Sequence, residues 1–308
     1  MTRWYRSVAL GVLLGLVVVA CGAPVDEPDD APEPEDAEEA VPEAPDDADA
    51  PDEEPAPPEE VPTDPEETGP EVTVYFVRSH ESGIWVEPEV HVLDQPTEAV
   101  ARGAMEILFA GEPHDAELAS AVPDGVAVLA TNIRERVLIV DVSAALAAHS
   151  TGSAEELAFA QQFAHTGAAF DTVDAVELWV DGAPIEELWG HLDWSEPIEP
   201  DPFAVSPIVI TDPPAGPGEV TVPAGEVTAR GTAMVFEATF FLRLYDADGT
   251  LLADDVVTAS AGGPERGTWE HTFTITDPGE YRLEAEEDDP SDGEGRAPFL
   301  VSRGFTVG

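Results

Sequence analysis

The chain has 308 residues, of which 65 are acidic and 12 basic, so its formal net charge is −53. This charge excludes simple electrostatic attraction to nucleic acid or to anionic lipid headgroups, and it suits basic partners, cations or a salty medium. A saline habitat explains the composition more simply than a charge-selective function does. Because the chain has a single cysteine, no internal disulfide holds it together and the folded part depends on its core.

The first 21 residues have the pattern of a secretory signal. Arg3 and Arg6 precede an apolar run from Val8 to Val19, and this run is too short for a comfortable transmembrane helix. The string that ends at Cys21 resembles a bacterial lipobox, in which the cysteine is diacylated and becomes the first residue of the mature chain. An ordinary signal peptide with a chance cysteine is the alternative. The sequence therefore predicts an exported protein anchored to the outer face of the cell membrane by acylated Cys21, although it does not encode the type of envelope.

Residues 22–70 contain mostly Asp, Glu, Pro and Ala, with no aromatic and no basic residue. Such a segment buries too little apolar surface to offset its ordering entropy, so we expect a disordered tether. Its extended reach is on the order of 150 Å. A partner-binding acidic tail is the alternative to a spacer.

Residues 71–195 combine strand and helix patterns, which predict a layered α/β domain with two helices packed on one sheet. Ser153-Ala154-Glu155-Glu156 matches a capping box that opens the second helix, with Leu157, Ala160 and Ala164 on its apolar side. The predicted strands are Glu71–Arg78, Ile84–Leu93, Val126–Thr131, Val137–Val142 and Val176–Val180, and the first helix is Pro96–Ala110.

A Pro- and acid-rich stretch predicts a linker at residues 196–206, and residues 207–308 show no helical period. Short strand patterns separated by turns predict an immunoglobulin-like β-sandwich here, so the fold class is α+β followed by all-β. Trp269, Phe236 and Phe273 are expected to fill its core. The seven predicted strands are Ile208–Thr211, Val227–Gly231, Phe236–Tyr245, Val256–Ser260, Trp269–Ile275, Tyr281–Ala285 and Phe299–Val307.

Several strings in the first domain resemble the GerMN domain of sporulation and germination proteins. They are Leu118–Gly125, Val140–Ser143, Glu156–Gln162, His165-Thr166 with Val173, and Val176–Gly182.

The second domain is similar to the immunoglobulin-like domain associated with GerMN in spore germination proteins, through Gly231–Thr239, Asp246–Gly249 and Ala259–Gly262. The resemblance implies an envelope lipoprotein or sporulation factor without an established catalytic centre. The GerMN fold also looks like the ring-building modules of secretion-like complexes, which favours protein–protein assembly by analogy.

The sequence contains no recognisable catalytic motif, so no enzyme, cofactor or metal site is expected. It has no Gly-x-Ser-x-Gly elbow, no His-Glu-x-x-His and no phosphate-binding glycine loop. Its seven histidines are not paired at metal-ligand spacing. His165 is expected on the surface or at the cap of the second helix, and His191 beside Asp193 in a packed linker.

Two carboxylates stand out. Asp141 ends a strand and is expected to cap the following turn, with a functional role as the alternative. Glu237 lies within an apolar run and is expected to face the opposite side of a strand from its neighbours, with a buried, paired carboxylate as the alternative.

Calcium binding is the remaining candidate chemistry. Asp246-Ala247-Asp248-Gly249 starts like a calcium loop but lacks the bidentate glutamate, and a hairpin turn explains it better. The acidic run Glu286–Asp289 with Asp292 suits at most weak surface cation binding.

The leading functional prediction is a non-enzymatic binding or assembly module that docks to an unidentified envelope protein. The alternative is a ligand-sensing or cell-wall glycan-binding lipoprotein, in which exposed Trp189 and Trp194, with Trp179, stack on sugar near the domain boundary. A hydrolase that uses a carboxylate such as Asp141 is the third hypothesis.

Overall fold

The computed structural model describes residues 69–94, 99–215, 220–289 and 294–308, which all fall in one compact unit, Pro62–Gly308. The predicted signal peptide, Cys21 and the tether up to residue 68 lie outside these residues. Gly69 and Pro70, the predicted end of the tether, are hydrogen-bonded to Leu93. No helix in the described ranges is long and apolar enough to cross a membrane. Two separate hydrophobic cores define what we call the first domain and the second domain (residues 208–307). The first domain comprises the core residues 72–198 and the segment up to Ser206 that packs on them. The domain bounds inferred from the sequence stay a prediction.

The first domain contains both strands and helices, as the sequence predicts. Its elements are β1 (Glu71–His80), β2 (Gly83–Val92), α1 (Val100–Ala110), β3 (Leu118–Ala119), β4 (Val128–Arg134), β5 (Val137–Val142), α2 (Ser153–Gly167), β6 (Ala175–Val180) and β7 (Ala183–Pro184).

In the described part of this domain the strands form two sheets, in the orders β2-β1-β3 and β4-β5-β6-β7. The prediction of a single sheet is therefore wrong. The strands β5 and β6 are parallel, with α2 as their crossover, whereas β1 and β2 form an antiparallel hairpin. Both helices pack against β1 of one sheet and against a strand of the other.

The helix ends agree only partly with the sequence. Gly111 ends α1 in the left-handed conformation with φ of 72°, as its position after the apolar stripe predicts. The prediction of a capping box at the start of α2 is wrong, because Gly152 is the N-cap residue and no side chain caps the helix. Glu156 points into the core and is completely buried, while Leu157 is half exposed. Ala160 and Ala164 lie on the core side of α2, as predicted, together with Phe159 and Phe163.

The second domain is all-β, as predicted. Its strands are β8 (Ile208–Asp212), β9 (Thr221–Val222), β10 (Gly225–Ala233), β11 (Thr239–Asp246), β12 (Leu251–Thr258), β13 (Gly267–Ile275), β14 (Gly279–Glu287) and β15 (Leu300–Val307). Over the described ranges they form two sheets, β13-β10-β8 and β12-β11-β14-β15-β9, which enclose one core.

Trp269 and Phe273 are buried in this core, as expected from the sequence. Phe236 is not, because its side chain is 61% exposed, and the prediction that it fills the core is wrong. Close packing is strict at Gly231, where β10 passes β8. A Cβ there would collide with the backbone oxygen of Val209 and come within 2.8 Å of the Trp269 ring.

The segment predicted as a linker, residues 196–206, is packed against the first domain. Ile198 exchanges both backbone hydrogen bonds with Val176, at 2.8 and 3.0 Å. Val205 is buried and forms a bridge with Val86 of β2. Apolar side chains between the prolines thus bind this predicted linker segment to the first domain.

Candidate functional site at the domain junction

The face of β1 and β2 that looks toward the second domain carries buried charges. The guanidinium of Arg78 donates to Glu87 at 2.6 Å, to Glu117 at 2.7 Å and to Asp115 at 3.2 Å. Burial opposes the charge on Arg78, but the three carboxylates outweigh burial and raise its pKa. Since the Arg78 and Glu87 side chains are only 5% and 1% exposed, loss of either charge would leave the other buried without its closest ionic partner.

This group of charges continues into the second domain. Arg303 of β15 contacts the Asp115 carboxylate at 3.2 Å, and Ser206 donates its hydroxyl to Glu87 at 2.6 Å. Arg266 donates to the backbone oxygens of Val205 and Ser206, at 3.1 and 2.9 Å. A small apolar cluster lies beside these bonds, made of Val77, Val86, Ala158, Val205 and Val209. The two domains are thus joined by ion pairs and by buried apolar surface.

Beside this junction lies a cavity of about 540 Å³ with walls from both domains, which we call the junction groove. The first domain contributes Trp85 and Val205, together with Phe203, whose side chain is 59% exposed. The second domain contributes the buried Val235 and the exposed Phe236. Two exposed phenyl rings at one concave surface are typical of a site that receives an apolar group from a ligand.

A local backbone feature explains why Phe236 points outward. Glu237 and Ala238 have positive φ angles of 52° and 60°, so residues 236–238 form a tight turn and β11 begins only at Thr239. Gly262 permits this turn, because a Cβ there would lie 2.7 Å from the Ala238 nitrogen. Glu237 is accordingly exposed and lies outside the strands. The prediction that it lies within a strand is therefore wrong, and so is the alternative of a buried, paired carboxylate. Positive φ at non-glycine residues is costly and is often retained at functional sites.

The groove has an acidic rim. Glu287 accepts a bond from the Phe299 nitrogen at 2.9 Å and forms an ion pair with Arg296 at 2.6 Å. The Arg296 guanidinium also lies 5.8 Å from the centre of the Trp85 ring. Asp288 and Asp289 line the same rim, and the Asp288 side chain is exposed. The rim therefore suits a cationic group beside the apolar floor.

The tryptophans proposed for glycan stacking are placed in the first core. Trp194 is only 3% exposed, and its indole nitrogen donates to Glu156 at 2.9 Å. Trp189 is partly buried against Phe159 and donates to the Leu146 oxygen at 3.2 Å. The expectation that these rings are exposed is wrong, because the Trp194 indole binds the buried carboxylate of Glu156 and the Trp189 ring packs on Phe159. Glycan binding by these residues stays an untested prediction.

The other residues singled out from the sequence lie apart from the groove. Asp141 accepts a bond from the Gly182 nitrogen at 2.9 Å, so it caps the turn between β6 and β7 and not, as the sequence predicts, the turn after its own strand. Asp246 accepts bonds from the nitrogens of Asp248 and Thr250, and so closes the predicted hairpin turn. His191 donates its backbone N–H to Glu156 at 3.0 Å, in packed chain as expected.

His165 lies on α2, as predicted, and its pKa is lowered by burial. Its Nε2 lies 2.9 Å from the backbone oxygen of Asp201, and its ring lies 5.0 Å from that of Tyr75. It therefore helps to pack the 196–206 segment against the first domain.

A second polar cluster lies at the edge of the junction and was missed from the sequence. Glu89 and His91 of β2 meet His114, which follows α1, and their ligand atoms all lie within 4.8 Å of one another. The histidines are 23 positions apart, so spacing along the chain gives no sign of the cluster. The available signal was the spacing of Glu89 and His91 on β2, because residues two positions apart in a strand lie on the same face.

Two family matches cover the two domains. Residues 73–186 match the family described as sporulation and spore germination, and residues 208–294 match the immunoglobulin-like domain of bacterial spore germination. No curated protein matches the chain.

Solved structures give weaker likenesses. The tandem GerMN domains of the sporulation protein GerM from Bacillus subtilis share 16% identity, with a TM-score of 0.38, over 46% of this chain and 50% of that one. The first GerMN domain of the same protein shares 20% identity, with a TM-score of 0.34, over 42% and 97%. A putative lipoprotein from Clostridium perfringens shares 20% identity, with a TM-score of 0.31, over 42% and 86%. The chain thus spans half the length of the tandem GerMN structure.

Proposed function

Because the chain joins a domain of the sporulation and spore germination family to the immunoglobulin-like domain of bacterial spore germination, we propose that it is an exported, lipid-anchored and non-enzymatic binding module of the cell envelope. Its anchor is acylated Cys21, and its acidic tether holds the folded unit away from the membrane. Its partner is an envelope protein of the sporulation or germination machinery.

The observation that carries the proposal is the junction groove, where the exposed rings of Phe203 and Phe236 flank a concave apolar surface. Exposure of a phenyl ring to water is unfavourable, and burial of the ring against a partner would remove this cost. Since the walls come from two domains fixed by buried ion pairs, the groove is preorganised and a ligand pays little to order it.

The acidic rim decides the chemistry of the occupant. Glu287, Asp288 and Asp289 lie beside the apolar floor, on a chain with a net charge of −53. Charge complementarity therefore favours a protein segment that carries an aromatic or large aliphatic residue next to Lys or Arg. Such a segment would place its apolar side chain between the phenyl rings and its cationic group at the rim.

A peptide array with the full-length chain tests the groove. Peptides that combine Trp with Arg should bind more tightly than Arg peptides in which Trp is replaced by Ser. Phe203→Ser with Phe236→Ser should abolish this preference, while Val256→Ser, at a 64% exposed position on β12, should not. Equal binding of all Arg peptides to every variant would reduce the effect to non-specific charge and contradict the proposal.

Anchoring and partner are tested in cells. A photocrosslinking amino acid at position 236 should give an adduct with an envelope protein, and the same amino acid at position 256 should not. Cys21→Ala should release the chain from the membrane fraction and remove the adduct. Sedimentation of the chain with purified cell wall, without a protein adduct, would instead support the glycan alternative.

A further inference from the structure

The cluster of Glu89, His91 and His114 has the chemistry of a metal site. The Nε2 atom of His91 lies 3.2 Å from Oε2 of Glu89, and the two imidazole rings stack with their centres 3.9 Å apart. Glu89 and His91 are 4% and 6% exposed. A buried imidazole and a partly buried one that converge on a buried carboxylate are uncommon unless a structural or ligand-binding role retains them.

The clearest sign is an unsatisfied atom. The Nδ1 atom of His114 is buried and has no hydrogen-bond partner among the described residues. The imidazole ring of His114 forms a hydrogen bond with the backbone of Ala215. Because Nδ1 has no partner in the described part of the chain, this bond is made by Nε2. With its proton on Nε2, His114 has a lone pair on the buried Nδ1 that no protein group within the described ranges satisfies, and a metal ion in the cluster would satisfy it.

The carboxylate is already oriented as a ligand. Glu89 accepts backbone bonds from His114 at 2.8 Å and from Asp115 at 2.7 Å. Burial favours the neutral acid, but these bonds and the one from His91 outweigh burial and lower the pKa of Glu89. Such bonds fix the direction of a ligating carboxylate, and a carboxylate has lone pairs left for a metal.

We propose that Glu89, His91 and His114 form a divalent transition-metal site of the Zn²⁺ class at the domain junction. Two imidazoles and one carboxylate are a ligand set typical of Zn²⁺, whereas Ca²⁺ and Mg²⁺ take oxygen ligands. Tetrahedral ligands at about 2.1 Å from Zn²⁺ are roughly 3.4 Å apart, so the widest pair closes by at most about 1.4 Å. Rotation of the His114 side chain, which lies in a loop, supplies this movement and separates the stacked rings.

The surroundings leave room for a fourth ligand. A polar cavity of about 240 Å³ adjoins His114 and is lined by Asp115, Glu117, Ser302 and Arg303. A water in this cavity can complete the tetrahedron. Since the loop that carries His114 also carries Asp115, which contacts Arg303, metal binding fixes the loop that joins the two domains.

Zn²⁺ titration of the metal-free full-length chain, against a competing chelator, tests the site. We expect one tight equivalent in the wild type, and an affinity about 100-fold or more lower after His91→Ala with His114→Ala. His149→Ala, at an exposed position, should keep the tight equivalent and control for loss of a surface histidine. Equal Zn²⁺ affinity in wild type and double variant would assign binding to the acidic surface and overturn the proposal.

X-ray absorption keeps the test independent of folding. The Zn²⁺-loaded wild type should show two imidazole ligands at about 2.0–2.1 Å. His114→Gln removes only the loop ligand, and it should retain the wild-type circular dichroism and lose the Zn²⁺-dependent rise in melting temperature. An all-oxygen shell in the wild type, or the same rise in His114→Gln, would contradict the site.

Discussion

Arg303 of the second domain meets Asp115 of the first at 3.2 Å, and the same Asp115 oxygen receives Arg78 at 3.2 Å. One carboxylate oxygen is thus shared by two arginines from different domains. The Arg303 side chain is 8% exposed and that of Asp115 is 11% exposed, so water screens this contact little. The junction therefore depends on charged side chains that water reaches only slightly.

Removing one charge of this network should therefore be costly. Arg78→Met leaves Glu87 buried without its cation, and we expect the free energy of unfolding to fall by about 3–5 kcal/mol. The control Arg102→Met breaks the exposed pair with Glu106 on α1 and should cost roughly 0.5 kcal/mol or less. Urea unfolding measures both, and equal losses would show that the buried pair has no special weight.

The buried carboxylate of Glu156 should be essential to the first core. Glu156→Leu leaves the Trp194 indole N–H and the His191 backbone N–H without an acceptor, and we expect a loss of at least about 2 kcal/mol. Glu156→Gln keeps one acceptor oxygen and should cost less. Urea unfolding followed by tryptophan fluorescence checks the order, with the exposed Glu155→Gln as the control. An unchanged free energy of unfolding in Glu156→Leu would mean that water replaces the carboxylate as the acceptor.

Gly231 should not tolerate a methyl group. Gly231→Ala would force β10 away from β8, because the Val209 backbone oxygen cannot move like a flexible side chain, and we expect a loss of about 3 kcal/mol. Gly304→Ala on β15 has no heavy atom within 4 Å of its new Cβ among the described neighbours, so it should be neutral or stabilising by roughly 0.5 kcal/mol. Melting temperatures of the two variants should move in opposite directions or differ by many degrees.

The stability of the folded unit should fall on mild acidification through His165. Burial lowers the pKa of His165 below its ordinary value near 6.5, with Tyr75, Asp201 and Arg266 around the ring. As the pH falls from about 7.5 through 6.5, the unfolded chain takes up a proton that folded His165 does not, so the free energy of unfolding decreases.

His165→Gln removes this contribution and should give a flatter pH dependence between about pH 7.5 and 5.5. Thermal melts across this range measure the slope, with His149→Gln as an exposed control. An unchanged slope in His165→Gln would show that His165 is protonated equally in both states.

Local patterns in the sequence located most strands and both helices, because alternation and helical periodicity depend on neighbours along the chain. They failed where long-range contacts decide. The run from Phe236 to Tyr245 reads as one strand, yet the turn at Glu237 and Ala238 exposes Phe236, since periodicity is blind to positive φ. Ser153 to Glu156 fits a capping box, yet Glu156 is buried in the core, where its carboxylate accepts a bond from the Trp194 indole.

The candidate site was largely beyond the sequence for the same reason. Trp85 and Phe203 come from the first domain, and Phe236 comes from the second, so only the docking of the domains brings them to one groove. His91 and His114 likewise meet only when the chain after α1 folds back on β2. Composition did anticipate the acidic rim, because a net charge of −53 makes an anionic surface almost unavoidable.

The apolar cluster of Val86, Val205 and Val209, together with the shared carboxylate of Asp115, should couple the unfolding of the two domains. A chain cut after Ser206 would remove Val209 from the apolar cluster around Val86 and Arg303 from Asp115. A chain begun at Pro207 would expose Val209 and Arg303 to water without these partners. Calorimetry of the intact unit should accordingly record a single cooperative transition, and fragments should aggregate rather than fold. A rearrangement that exchanged only one of the two domains would therefore have to supply new partners for Val209 and Arg303.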